Sequence, residues 1–314
     1  MKDILISMII CTYNREDLLE GAILSLVNQS LPSDQYEILI VDNNSTDSTK
    51  EITDSFIDHH PNHSIRYILE KTSGVGYARK TGALEASGKY VGFLDDDGKA
   101  DAYYLENADK AIRSFTDGLL SFGGPIYPFY LASKPDWFKD EYEIRTWGNE
   151  LKWLEMGAYL AGSNMFFLKE VFLKVSKNSE TLGPRAEQMA FGEDTILFEN
   201  FKTGYPENQV LYIPDLIVYH AVPEIKMTLN YILKRRYSIG CSAFERIILT
   251  EKKNIYLQLF LHGAYLLWQV LIFVFSIFQY RHWQQWVVEK FGPVAKSIGF
   301  LMTLFKVPLK FTNR

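Results

Sequence analysis

The feature that most constrains this chain is the alternation, over its first third, of short apolar runs with stretches of helical spacing. ILISMIICTY is a β-rich run, and NREDLLEGAILSLVNQS then repeats apolar side chains at helical intervals. YEILIVD is a second apolar run, Asp47 to Ile57 a helix, SIRYILE a third strand, GVGYARKTGALEAS a helix opened by glycines and KYVGFL a fourth strand. Strand and helix recurring about every twenty residues mark βα units and a mostly parallel central sheet with flanking helices. The expected fold class is α/β.

Each predicted strand ends in a polar cluster: TYNRE, DNNSTD, TSGVG and DDDG in turn. Open α/β sheets bind ligands at the carboxyl ends of their strands, so the four clusters converge on one site. The last is the most demanding, because Asp95, Asp96 and Asp97 follow YVGFL directly. Each adjoining carboxylate raises the cost of ionising the next unless water or a cation is present. Alternate side chains of an extended segment point the same way, so Asp95 and Asp97 are expected to share a direction from which Asp96 diverges. Such a pair suits Mn²⁺ or Mg²⁺, with positions left for diphosphate oxygens and water. The alternative is a solvated acidic turn; the ligand spacing of an EF-hand is missing.

Further along, a helix is expected from Asp101 to about Phe115, a strand in LLSFGGPIYPF, and a strand running into a helix in YLAGSNMFFLKEVF. GEDTILFENFKTG reads as a helix, VLYIPDLIVYH as a strand and IKMTLNYILKRRYSIGCSAFERI as another helix. Glu193 and Asp194 at the start of the first of these are either a catalytic pair or ordinary N-terminal charges. His220 closes its strand as a third metal ligand or as a core-edge histidine. Asp42 is placed to accept hydrogen bonds from a base or ribose, unless DNNSTD is a turn with a helix cap at Ser45 or Thr46. Arg79 and, in KRRYSIG, Arg236 bring positive charge suited to phosphate or lie on exposed helical faces. Trp137, Phe138, Trp147 and Trp153 either stack on a sugar ring or pack a loop. Cys11 is expected in the core.

At 314 residues, with 47% hydrophobic and 23% charged side chains, the chain is folded and long enough for about two domains. Two cysteines exclude a disulfide scaffold. The N-terminal apolar run, broken by Asp3, reads as a first strand and not as a signal peptide. The formal charge of -5 conceals an asymmetry: from Ala221 onward 13 Lys or Arg face 4 Asp or Glu, whereas the preceding residues carry 20 against 34. The acidic body excludes a nucleic-acid partner. The basic, aromatic tail suits an anionic membrane surface. Asn254 to Tyr280 has no Asp, Glu, Lys or Arg, and a second apolar patch spans Ser297 to Leu309. A pair of helices in one leaflet, anchored by Trp268, Trp283 and Trp286, is expected there; a packed dimerisation or lid pair is the alternative. Residues 1–250 would then form the main domain and 251–314 the helical, membrane-associated or oligomerising segment.

In combination, TYNR, VDNNSTD, the GVGYAR of the third helix, LDDDG, GSNMFF and GEDT resemble the family 2 glycosyltransferases with a GT-A fold, over roughly Ile4 to Gly240. The resemblance implies inverting transfer from a nucleotide-diphosphate sugar, UDP- or GDP-linked, to a hydroxyl of a glycan or lipid-linked acceptor; the basic, aromatic tail alone suggests a lipid-linked acceptor at the cytoplasmic side of the cell membrane. The resemblance also implies donor contacts from Thr12, Tyr13, Asn14, Arg15 and Asp42 and metal ligation by Asp95 and Asp97; to these the residues themselves add Asn44, Gly74, Arg79, Asp96 and Arg236 as donor-side candidates and His220 beside the metal. Asp194 would be the catalytic base with Glu193 next to it, and Trp137, Gly162 and Asn164 would lie on the acceptor side. Gly98 stands where that family often has another Asp, and Lys80 follows the Ala-Arg pair where Asn is commoner. A nucleotidyltransferase on a related fold, a non-catalytic sugar-binding or scaffold protein, a soluble cytoplasmic location and a homodimer are the alternatives.

Overall fold

The computed structural model describes residues 4–115, 119–155, 158–177, 189, 191–206, 210–249, 255–273 and 276–304. Residues 305–309 of the second apolar patch, and Asn254, Val274 and Phe275 of the first, lie outside them. The chain divides into two compact units. The first comprises residues 1–129, 143–181 and 193–221, and the second 130–142, 182–192 and 222–314.

The first unit runs β1 (Ile6–Thr12), α1 (Glu16–Val27), β2 (Tyr36–Asp42), α2 (Thr49–His59), β3 (Ser64–Leu69), α3 (Val75–Glu85), β4 (Tyr90–Asp95), β5 (Gly98–Ala100), α4 (Tyr104–Ser114), β6 (Ser121–Gly123) and β7 (Ile126–Tyr130). It continues with β8 (Lys152–Trp153), β9 (Met165–Leu168), α5 (Lys169–Val175), α6 (Glu193–Gly204), β10 (Leu211–Tyr212) and β11 (Val218–Val222). One eight-stranded sheet has the order β3-β2-β1-β4-β9-β6-β10-β8, and a small sheet the order β5-β11-β7. Period-two burial makes the layers. Ile6, Met8 and Ile10 of β1 face Leu19, Ile23 and Leu26 of α1 and Tyr104 of α4, while Ile9 faces the other way, with Ala78 of α3, Phe172 of α5 and Phe201 of α6. β2 and β4 flank β1 in parallel, so the strand order reverses at β1 and opens a crevice at the ends of Thr12 and Asp95.

Parallel pairing holds for β3-β2-β1-β4 and for β6 with β10, but β9 runs antiparallel to both β4 and β6. The sheet is therefore mixed, and the difference has a use. An antiparallel β9 begins beside the end of β4, with Met165 opposite Phe93, and so delivers Gly162 to Asn164 to the crevice. Two stretches expected as single strands each divide between the sheets: LLSFGGPIYPF into β6 and β7, and VLYIPDLIVYH into β10 and β11 on either side of Pro214 and Asp215.

The second unit contains α7 (Leu229–Leu249), α8 (Ile255–Phe273), α9 (Trp283–Trp286) and α10 (Gly292–Leu304). It thus includes α7, which the expected boundary at residue 250 assigned to the main domain. α7 and α10 meet backbone to backbone, since a Cβ on Gly240 would lie 1.9 Å from the Lys296 carbonyl oxygen and one on Gly299 2.1 Å from that of Tyr237. Phe138, Tyr142, Val222, Met227, Ile232 and Val288 form its small core. Among the described residues no helix is long and apolar enough to cross a membrane.

Candidate active site

The loops after β1, β2 and β3 are laced together by side chains. Asn14, in the left-handed region at φ 50°, accepts the Thr46 N–H at 2.7 Å and donates its own N–H to Ser45 Oγ at 2.9 Å. Glu16 and Asp47 exchange further bonds across the same gap: the Glu16 N–H reaches Asp47 Oδ2 at 3.0 Å and the Ser48 N–H reaches Glu16 Oε2 at 2.8 Å. Asp42 is buried, accepting the Ser45 N–H at 2.7 Å and the Tyr67 hydroxyl at 2.6 Å. Tyr67 escaped the sequence analysis because it lies mid-strand, where an aromatic side chain is ordinary. Asn44 is exposed, and its neighbour Asn43 does the tying. Asn43 donates to the Glu70 and Thr72 carbonyls at 3.1 and 2.7 Å and accepts the Gly74 N–H at 2.7 Å, which fixes the entry to α3. The expected caps at Ser45 and Thr46 lie before α2, which begins at Thr49; there Asp47 accepts the Thr49 N–H at 3.2 Å and its hydroxyl at 2.6 Å.

Asp95 ends β4, and Asp96 and Asp97 link it to the three-residue β5. Because β5 pairs antiparallel with β11, His220 stands opposite Gly98, and the Ala221 N–H bonds the Asp97 carbonyl at 2.8 Å. That pairing places His220 Nε2 2.9 Å from Asp97 Oδ1. Ligand atoms of Asp95, Asp97 and His220 all lie within 4.8 Å of one another. Two carboxylate oxygens and one imidazole at that spacing fit a divalent ion such as Mn²⁺ or Mg²⁺, with coordination positions left for substrate and water. Asp96 diverges from this pair: the Arg15 guanidinium lies between, 2.9 Å from Asp97 Oδ2 and 3.9 Å from Asp96 Oδ1. Burial, reinforced by Asp97, pushes the Asp96 carboxyl up to about 7, and burial also raises Asp95.

Arg79 connects this cluster to the acids of α6. Its buried guanidinium donates Nη1 to Asp194 Oδ1 at 2.8 Å, lies 3.7 Å from Glu193 Oε1 and places Nη2 3.5 Å from Asp95 Oδ1. Burial opposes its charge, but Asp194, Asp95 and Glu193 hold it firmly protonated. Asp194 Oδ2 accepts the Gly162 N–H at 2.8 Å. A Cβ on Gly162 would lie 2.2 Å from Arg79 Nη2 and 2.5 Å from Asp194 Oδ1, so the arrangement requires glycine there. Burial and then the Asp194 charge push Glu193 up to about 8.

Of Gly162 and Asn164, both expected on the acceptor side, Gly162 meets this cluster. Asn164 is fully buried and turned into the core, accepting the Tyr104 hydroxyl at 2.9 Å and donating to the Pro125 and Leu216 carbonyls at 2.8 and 2.7 Å. Trp137 packs edge-on against Phe138 in the second unit, and Arg236 of α7 lies against Gly292 there. Trp153 meets Phe115 edge-on. Trp147 is tied closer to the site, its indole N–H donating to the Tyr159 carbonyl at 3.2 Å, three residues before Gly162. Tyr13 is half-buried beside Thr12, which is buried at the end of β1. Cys11 is held as an unreactive thiol, pushed by burial up to about 12.

A switch-point crevice, an Asp-Asp-His cluster fit for a divalent ion and an acid pair one arginine away define a metal-assisted nucleotide-sugar transferase with a GT-A-type fold. Residues 7–174 match the family model described as glycosyl transferase family 2, and the chain belongs to that family. Over 267 residues it is 23% identical to the glucosyl-dolichyl phosphate glucuronosyltransferase of Haloferax volcanii, covering 81% of this chain and 82% of that one. Over 92 residues it is 37% identical to the poly(ribitol-phosphate) beta-glucosyltransferase of Bacillus spizizenii, covering 29% of this chain but only 14% of that protein. The mannosyltransferase PcManGT of Pyrobaculum calidifontis, solved with GDP-Man and Mn²⁺, shares the fold with a TM-score of 0.61 at 18% identity, over 95% of this chain and 87% of that one.

Proposed function

We propose that this chain moves a sugar from a UDP- or GDP-sugar to a hydroxyl of a glycan or lipid-linked acceptor, inverting the anomeric centre in a single displacement. The carrying observation is Arg79, which spans from the carboxylate of a metal ligand to the carboxylate of a base. In this reading the loops bearing Thr12 to Arg15, Asp42, Asn44 and Gly74 receive the nucleoside. Asp95, Asp97 and His220 hold Mn²⁺ or Mg²⁺, which when bound offsets the charge of the diphosphate. Asp194, oriented by the Gly162 N–H and Arg79, takes the proton from the acceptor hydroxyl as that oxygen attacks the anomeric carbon opposite the leaving diphosphate. Arg79 and Arg15 add fixed positive charge where negative charge develops. Relatives solved with GDP-Man and with UDP-GlcNAc support a nucleotide-diphosphate donor.

The transfer machinery is assigned to residues 1–250. The basic, aromatic residues 251–314 attach it, peripherally or monotopically, to the cytoplasmic face of a membrane, where a lipid-linked acceptor would be presented. The test is thermal unfolding of the full chain with UDP, GDP, CMP or dTDP, each with Mn²⁺ and with chelator. One nucleotide should raise the melting temperature in a metal-dependent way. The reading fails if none does.

A further inference from the structure

α8 presents an apolar stripe to solvent. Leu257, Phe260, Leu261, Ala264 and Trp268 recur at intervals of three and four, which puts them on one side of the helix. All are exposed: 51% for Leu257, 69% for Phe260, 49% for Leu261 and 59% for Trp268. A different side is turned to α10, where His262 stacks on Phe300 at 4.2 Å and its Nδ1 lies 2.8 Å from Ser297 Oγ. Beyond the end of α8, Phe278 is 92% and Trp283 57% exposed. The Trp286 indole N–H donates to Ser276 Oγ at 3.0 Å and pins the turn that carries Phe278. Large apolar side chains exposed in a row along one helix side mark an interaction surface.

Charge selects the occupant. No Asp, Glu, Lys or Arg falls between Asn254 and Tyr280, while Lys252 and Lys253, preceded by Glu251, come before α8 and Arg281 follows it, so the flanks carry a net positive charge. Glu289, the next acid along the chain, is neutralised by Lys139 at 2.5 Å. A twofold contact between copies would bring these flanking cations toward like charges, whereas anionic headgroups match them. We propose that the α8 stripe, with Phe278 and Trp283, enters the headgroup layer of an anionic lipid surface, the helix lying along the membrane. This rests on the membrane reading above and narrows it to one helix face.

The test is sedimentation of the full chain with phosphatidylcholine vesicles, pure or carrying about 30% phosphatidylglycerol. Wild type should bind the anionic vesicles, and the triple variant Leu257→Ser, Phe260→Ser, Trp268→Ser should bind about tenfold less or weaker still, with its nucleotide-induced thermal shift intact. Should the triple variant misfold, Phe260→Ser alone should still weaken binding measurably. Equal binding by wild type and the folded variants overturns the stripe while leaving the membrane reading, since a basic tail alone would then suffice. No binding by wild type overturns both, and sugar transfer is judged separately by the nucleotide shift. A wild-type dimer that the variant converts to monomer, with vesicle binding unchanged, assigns the stripe to self-association and overturns the proposal.

Discussion

Arg79 is the residue on which the chemistry turns. A lysine could supply its charge but not a planar fork spanning Asp194 and Asp95. Asp194 contributes the carboxylate, held on one oxygen by Arg79 and on the other by the Gly162 N–H. In the proposed mechanism Asp194 serves the acceptor, so Asp194→Asn should lower kcat by about 10²–10⁴-fold while the dissociation constant for the nucleotide, measured by titration, stays near that of wild type. A loss of nucleotide affinity matching that of Asp97→Ala would remove Asp194 from the role. Glu193 makes a prediction of opposite sign for stability. Its folded pKa, raised to about 8 by burial and then by Asp194, exceeds its unfolded value. Its contribution is therefore complete below the unfolded pKa and is lost as pH rises through about 8. Glu193→Gln should accordingly melt higher than wild type at alkaline pH and nearly level with it in acid. A lower melting temperature for the variant at alkaline pH would mean that the Arg79 contact, and not burial, dominates at Glu193.

At the scale of elements, two short strands assemble the site. β9 approaches β4 antiparallel and carries Gly162 in, while β5 pairs with β11 and draws His220 to Asp97. Gly162→Ala tests the first. The added methyl meets Arg79 Nη2 and Asp194 Oδ1 well inside contact distance, so the pair must separate. We expect kcat to fall roughly 10²-fold with the circular dichroism spectrum unchanged. Wild-type turnover in the alanine variant would show that the Arg79–Asp194 contact is dispensable. The same elements explain what could be read from the chain. β1 to β4 were legible because apolar period and polar termination are local properties, and so the Asp95–Asp97 cluster, Asp42 and the GED pair were placed at strand or helix ends. β5 and β8 are too short to carry a period, and the meeting of His220 with Asp97 depends on a pairing between distant segments. Asn164 was misplaced for a related reason. Gly162, in the turn before β9, reaches the crevice through its backbone N–H, whereas the Asn164 side chain is taken up by Tyr104, Pro125 and Leu216, partners that only the folded chain brings together.

Over the whole molecule, the site concentrates a cost that a cation relieves. Asp96 and Glu193 are raised to about 7 and about 8, and Asp95 is raised as well, each chiefly because burial penalises its charged form. All three have folded values above their unfolded ones, so metal-free protein should lose stability as pH rises from acid through about 8. Divalent metal reverses the logic locally, because an ion on Asp95, Asp97 and His220 favours the ionised carboxylates that burial disfavours. Mn²⁺ at one fixed concentration, about 100 times its dissociation constant at about pH 8, should stabilise the folded state there by about 2.7 kcal/mol, a rise of several degrees that is smaller at about pH 6, where protons compete for the raised carboxylates. Asp97→Ala should abolish that rise. Melting curves with Mn²⁺ and with chelator at the two pH values decide the matter: a rise retained in Asp97→Ala would move the ion elsewhere, and a rise independent of pH would mean that the raised carboxylates lie beyond its reach.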